Sequence, residues 1–409
     1  MKILWVKSGG LVPLDHGGRI RSYQLAKELA REHDVSLFTF YAEDPHDSHK
    51  ELEQIFARVI GIPLHIPPAK SAADLANYAL NLFTLRPYSQ ARYCQPRVAE
   101  RLRQHLREES YDLIVCDFLL TAAVIPGDFQ CPIVLFTHNI EARIWERQVR
   151  VARNLVWKAV CYREYRALER MERHYIQRAE CVLAVSESDR EFFAGFADPG
   201  KIHVIPTGVD VEYFRPAPDR EEPNSLVFTG SMDWLPNEDG IIWFVEQVLP
   251  RVRQQFPDVV LWVVGRRASP KLQEIGARER GVHVTGTVDD IRPYVARGSV
   301  YVVPLLVGGG TRIKIFEAMA MGQAVVSTTI GAEGLPVTPG ENILLADQPG
   351  QFADSVVRLL GNRAERNRLG SAARRLVETK YSWRSVAGVL GDVLRRTIEN
   401  SRSSAPLAR

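Results

Sequence analysis

The densest run of side chains able to do chemistry in this 409-residue chain is Gly308-Gly309-Gly310-Thr311-Arg312-Ile313-Lys314-Ile315-Phe316-Glu317. A glycine turn lets backbone N–H groups approach a ligand closely, and a helix N-terminus favours anions. Arg312 and Lys314 add full positive charge in the first turn. Glu317 then offers a carboxylate able to accept two hydroxyl hydrogen bonds from a sugar ring. The segment is thus suited to holding a diphosphate and a ribose together, although a capped glycine-rich loop would look similar.

Further constellations stand at strand ends. Gly17-Gly18 lies between the first strand and a helical run, where two glycines make an anion-friendly turn. Thr137-His138-Asn139 closes an apolar strand, and a neutral histidine there can bind a sugar hydroxyl or a transition-state charge. A simple capping role for the His-Asn pair is the alternative. Ser186-Glu187-Ser188-Asp189 reads first as a helix cap with early acids, with Glu187 structural or on the acceptor side. Gly230-Ser231 follows Phe228-Thr229, so Gly230 permits close backbone approach and Ser231 can donate to a phosphate.

These residues need a scaffold, and the chain supplies one in two rounds. Short continuous Val/Ile/Leu runs alternate with helical periods, which suits parallel strands buried on both faces. The first half offers Ile3–Lys7, Val35–Phe40, Leu113–Cys116, Ile133–Thr137, Cys181–Val185 and His203–Ile205. The second offers Leu226–Thr229, Val259–Val264, Val282–Val284, Val300–Val303, Ala324–Ser327 and Ile343–Leu345. Two sets of six strands imply an α/β protein with two doubly wound, Rossmann-like parallel-sheet domains. Ligands in such folds sit at the carboxyl ends of strands, which makes the cleft between domains the expected site. The Pro-rich stretch from Pro206 to Pro223 reads as a stiff linker. Residues 142–179 carry helical spacing without Pro or Gly and predict one or two long helices.

Composition narrows the partners. A net charge of +3 gives no case for nucleic acid, and 45% hydrophobic content is that of an ordinary globular protein. Between Arg143 and Arg178 ten Lys/Arg face four Asp/Glu, an excess of six. Together with Trp145, Val149, Leu155, Val156 and Trp157, that stretch suits an anionic membrane surface, or simply a solvated face. Five cysteines without a C-x-x-C spacing fit a reduced, cytoplasmic setting, and a peripheral place at the inner face of the membrane is the accompanying expectation. Walker A, H-E-x-x-H, EF-hand and G-x-S-x-G patterns are missing, as is the dinucleotide fingerprint.

In order and spacing, these motifs resemble the GT-B glycosyltransferases, specifically the retaining enzymes of glycosyltransferase family 4. The resemblance runs from Gly17-Gly18 through Thr137-His138-Asn139, Pro206-Thr207-Gly208-Val209-Asp210, Phe228-Thr229-Gly230 and Val263-Val264-Gly265. It continues to Gly308–Gly322 and Tyr381-Ser382-Trp383. It implies an acceptor-binding domain over 1–206 and a nucleotide-sugar-binding domain over 207–380. A helix over 381–400 would return to the first domain, ahead of a disordered tail over 401–409. By the same resemblance, Glu317 and His138 are catalytic, with Glu317 on the ribose hydroxyls and His138 beside the donor sugar. Gly17, Gly18, Gly230, Ser231, Gly309, Gly310, Thr311, Arg312 and Lys314 would surround the donor, and Asn139 and Glu187 would face the acceptor. No metal or cofactor is implied, because cationic side chains neutralise the leaving diphosphate.

The resemblance implies sugar transfer with retention, from a nucleoside diphosphate sugar to a glycan or lipid-linked acceptor in polysaccharide synthesis. The chain departs from the family twice. The first acid of an E-x7-E pattern falls on Gly309, and the usual Arg and Lys are missing from Ser231–Asp239. Arg312 and Lys314 are expected to take over the diphosphate. A nucleotide-sugar epimerase of the same shape and a catalytically silent nucleotide-sugar-binding regulator are the other readings.

Overall fold

A computed structural model describes residues 1–14, 17–41, 46–127, 129–152, 154–307 and 313–404. The chain divides into two compact units, Met1–Pro206 with the chain from Val386 onward, and Thr207–Ser385.

The first unit is built on β1 (Lys2–Ser8), β2 (Asp34–Tyr41), β3 (Arg58–Pro63), β4 (Leu113–Asp117), β5 (Ile133–Phe136), β6 (Cys181–Ala184) and β7 (Ile202–Val204). All pairings are parallel, in the order β3-β2-β1-β4-β5-β6-β7. β1 and β4 are buried almost end to end, as expected of apolar runs covered by helices on both faces. The sequence reading expects six strands here, and the structure adds a seventh, β3. That strand lies at the sheet edge, is largely exposed and carries Gly61 and Pro63, so it lacks the continuous apolar signal of its neighbours.

The second unit pairs β8 (Ser225–Thr229), β9 (Val260–Val264), β10 (Val282–Val284), β11 (Val300–Val303), β12 (Val325–Ser327) and β13 (Leu344–Leu345) in the parallel order β10-β9-β8-β11-β12-β13. Phe228, Phe244, Phe316 and Phe352 are among the largest side chains of its core. Each sheet reverses its strand order once, between β1 and β4 and between β8 and β11, which is where doubly wound folds place ligands.

The stretch 206–223 is not a free linker. Val209 pairs with Ser382, and Arg374 donates to the carbonyls of Phe214 (2.7 Å) and Val211 (3.1 Å). A Cβ on Gly208 would stand 2.6 Å from the Trp383 ring, so the glycine of Pro-Thr-Gly-Val-Asp makes room for that indole. Residues 142–179 become two helices, Glu141–Val151 and Leu155–Arg178, the second capped by the Asn154 side chain accepting from Trp157 N–H. The last helix opens at Trp383 rather than Tyr381 and continues through Ser404. Residues 401–404 are therefore helical instead of a disordered tail, and 405–409 lie outside the described residues.

Candidate active site

The first unit brings a buried ionic cluster to its strand-order reversal. Register across the sheet sets Lys7 of β1 opposite Asp117 of β4, and Asp117 opposite Phe136 of β5. Lys7 Nζ lies 3.3 Å from Asp117 Oδ1, with both side chains buried. Trp5 Nε1 donates to Asp117 Oδ2 at 2.8 Å, and His138 Nε2 lies 2.7 Å from Asp117 Oδ1. The Phe118 ring stacks on the imidazole with centroids 4.1 Å apart, and Lys7 Nζ stands 3.8 Å from the same ring.

This wiring sets protonation. Burial opposes the Asp117 charge, but Lys7 and the His138 hydrogen bond outweigh it and hold the carboxyl well below the usual range. For His138, burial dominates over Asp117 and moves the imidazole down to about 4. The ring is therefore neutral at pH 7. Its hydrogen sits on Nε2, which donates to Asp117, and this leaves Nδ1 as the acceptor nitrogen. Burial likewise lowers Lys7. Arg21, from the helix Gly17–Ala30, donates to the Thr137 carbonyl at 2.8 Å and to Ile205, and lies over Phe136. It thereby locks the strand end that carries His138.

Other expected residues fall differently. Gly17 and Gly18 form the first turn of the helix Gly17–Ala30, where leading N–H groups lack intrahelical partners. Ser22 Oγ donates back to the Gly18 carbonyl at 2.9 Å and lies 3.5 Å from His138 Nε2. Asn139 is exposed beside the buried histidine. Glu187 is also exposed, opens the helix Glu187–Ala194 and pairs with Arg190 at 2.5 Å.

The second unit assembles its own half-site at the ends of β8, β9 and the helix Ile313–Ala320. Gly230 N–H donates to the Val264 carbonyl at 2.9 Å. A Cβ on Gly265 would fall 1.7 Å from the Gly230 oxygen, so this crossing tolerates no side chain there. A Cβ on Gly230 would in turn meet Lys314 Nζ at 2.6 Å. Lys314 Nζ donates to Asn237 Oδ1 at 2.7 Å and stands 4.3 Å from the Phe228 ring, while Asn237 Nδ2 donates to the Ser231 carbonyl at 2.8 Å. Ser231 Oγ donates to Asp233 and accepts from Arg266 Nε at 2.9 Å, so its single hydrogen is already engaged. Arg267 pairs with Asp233 at 2.7 Å. Glu317, one turn beyond Lys314, is pushed up to about 7 by burial, against the pull of Lys314. Gly309, Gly310, Thr311 and Arg312 lie outside the described residues.

The sequence reading passes over Asp117, Lys7 and Arg21 in the first unit and Arg266 and Arg267 in the second. For Lys7 and Asp117 one signal is available: a charge inside or closing a run otherwise fit for a doubly buried strand must find a partner.

Two family models match the sequence of this chain. The family model described as Glycosyltransferase Family 4 matches residues 16–213, and that described as Glycosyl transferases group 1 matches residues 223–362. An uncharacterized 44.6 kDa protein in the cps region of Klebsiella pneumoniae is 22% identical over 94% of this chain and 97% of its own length. A phosphatidyl-myo-inositol mannosyltransferase of Mycobacterium tuberculosis is 31% identical over 45% of this chain and 51% of its own. Among solved structures, Anabaena HepE in complex with UDP superposes with a TM-score of 0.67 at 16% identity, covering 97% of this chain and 100% of that one. At that identity the likeness speaks for the fold, which is GT-B.

Proposed function

Because the chain belongs to the family 4 glycosyltransferases, we propose that it moves a sugar, with retention, from a nucleoside diphosphate sugar to a glycan or lipid-linked acceptor in polysaccharide synthesis. The observation that carries this reading is the second unit's half-site. A lysine ammonium is seated on a glycine crossing with a high-pKa carboxyl one turn beyond it. The lysine suits a diphosphate as a point charge, and the carboxylate suits vicinal ribose hydroxyls. The mannosyltransferase relative favours the same reaction class, the UDP held by HepE fits a nucleotide donor, and the cps-region relative fits polysaccharide synthesis.

In this proposal the second domain binds the donor and the first supplies His138. Neutral and oriented by Asp117, the imidazole accepts a hydroxyl hydrogen of the donor sugar through Nδ1. It thereby places a polarisable ring beside the oxocarbenium-like transition state. Arg266 and Arg267, with Lys314 and Arg312, neutralise the leaving diphosphate, so turnover should survive a chelator. The test is a thermal-shift screen against UDP-, GDP-, ADP- and dTDP-sugars with free nucleotides as controls. Ligand at about 100 times its Kd raises stability by roughly 2.7 kcal/mol. A shift with one nucleotide family supports the donor class. No shift with any of them contradicts it.

A further inference from the structure

The helix Ala72–Asn81 is built inside out. An ordinary surface helix turns its apolar stripe to the core. Here the buried residues are Asp74 and Asn81, while Leu75 and Leu80 are 59% and 69% exposed. Its polar side is anchored with care. Asp74 accepts from Lys70 N–H at 2.8 Å and from the Tyr88 hydroxyl at 2.6 Å. Glu164, buried on the long helix Leu155–Arg178, accepts from Tyr88 N–H at 2.9 Å and from the Tyr78 hydroxyl at 3.3 Å.

The chain after this helix continues the pattern, with Phe83 91% and Leu85 75% exposed. Arg163 fixes that loop to the long helix by donating to the carbonyls of Asn81 (2.7 Å), Thr84 (3.1 Å) and Arg86 (2.9 Å). Toward the start of the same helix, Leu155 and Val156 are 82% and 74% exposed and Trp157 is half-exposed. At about 1.5 Å per residue, Trp157 lies roughly 9 Å along the axis from Arg163. Both segments are carried by this one helix, and each exposes a cluster of apolar side chains in place of the singly scattered residues normal on a surface. Trp145 and Val149 of the basic stretch are only partly exposed, and Trp145 packs against the first core.

Charge indicates what covers this face. Residues 75–86 and 154–162 contain no Asp or Glu and carry Arg86 and Lys158, both exposed, while the charge of Arg163 is paired with the buried Glu164. A second copy docked about a two-fold axis would bring these cations together. An anionic bilayer would neutralise them while its interface takes up the aromatic and aliphatic side chains. We propose that the Leu80–Leu85 loop and the Leu155–Trp157 turn insert together into the surface of an anionic membrane. Among the described residues no helix is long and apolar enough to cross one. The inference rests on this face alone, so it stands or falls apart from the proposed transfer reaction.

The test is flotation of the full chain with vesicles of phosphatidylcholine, with or without phosphatidylglycerol. The wild type should float with the anionic vesicles, less as salt rises. The double variant Phe83→Glu/Trp157→Glu should bind at least about tenfold more weakly, since each side chain loses its apolar burial. Val389→Glu, at an exposed apolar position elsewhere, should behave as wild type. Matching thermal melts check that the variants fold. Equal flotation of wild type and double variant overturns the proposal. So does absent wild-type binding, or a dimer that the double variant dissolves.

Discussion

The two half-sites solve opposite problems with similar residue types. In the first domain, Lys7 and Asp117 are buried, and Trp5 and His138 are aimed at the carboxylate before any ligand arrives. In the second, Lys314 is held by an amide and by the space left at Gly230, while Arg266 and Arg267 are exposed at a strand end. A buried ion pair contributes little net stability but is costly to break, whereas partly exposed cations are cheap to lose and available to a ligand. The difference teaches which substitutions should unfold the protein and which should only empty it.

The largest effect should follow Asp117→Ala, which strands the Lys7 charge in the first core. A loss of about 3–5 kcal/mol is expected, seen as a large fall in Tm. Lys7→Met/Asp117→Leu should recover much of it, because the uncompensated charge is gone. If the single variant melts like wild type, the buried cluster is not the structural unit described here. Next comes Lys314→Ala. Losing a charge-assisted contact to the diphosphate should weaken nucleotide binding by about 10- to 100-fold by calorimetry. Tm without ligand should barely move, and Arg363→Ala, on the outer face, should bind as wild type.

The smallest effect sharpens the role of Glu317. Its carboxyl titrates near 7 in the folded chain against 4.5 ordinarily, so the folded state holds a proton there that the unfolded state has released. Its contribution to stability is therefore lost as pH rises from 4.5 toward 7. In the proposed role the ionised form binds the ribose, so nucleotide affinity should rise about fivefold between about pH 6 and pH 7 and level off above about pH 8. Glu317→Gln should flatten that rise and gain stability relative to wild type above pH 7. A wild-type affinity independent of pH would contradict this assignment.

Most of the scaffold could be read from the chain because doubly buried parallel strands write themselves as Val/Ile runs. Strand ends follow from those runs, which is why Thr137-His138-Asn139 and Gly230 stand out. The partners of His138 did not, since Asp117 is 21 residues away and meets it only through the register of adjacent strands. Arg266 escaped for the same reason, reaching Ser231 from a neighbouring strand end. β3 is hidden by its edge position, and the helix Ala72–Asn81 by its inverted faces, which periodicity alone assigns to a core.

In the proposed reaction, donor binding belongs to the second domain and sugar activation to the first. Calorimetric titration of the nucleoside diphosphate into His138→Ala and Glu317→Ala, beside a transfer assay on both, tests it most directly. Transfer should fall by about 10²-fold or more in each variant. Nucleotide affinity should be kept in His138→Ala and lost in Glu317→Ala. Nucleotide binding lost equally in both, or kept in Glu317→Ala, would contradict it.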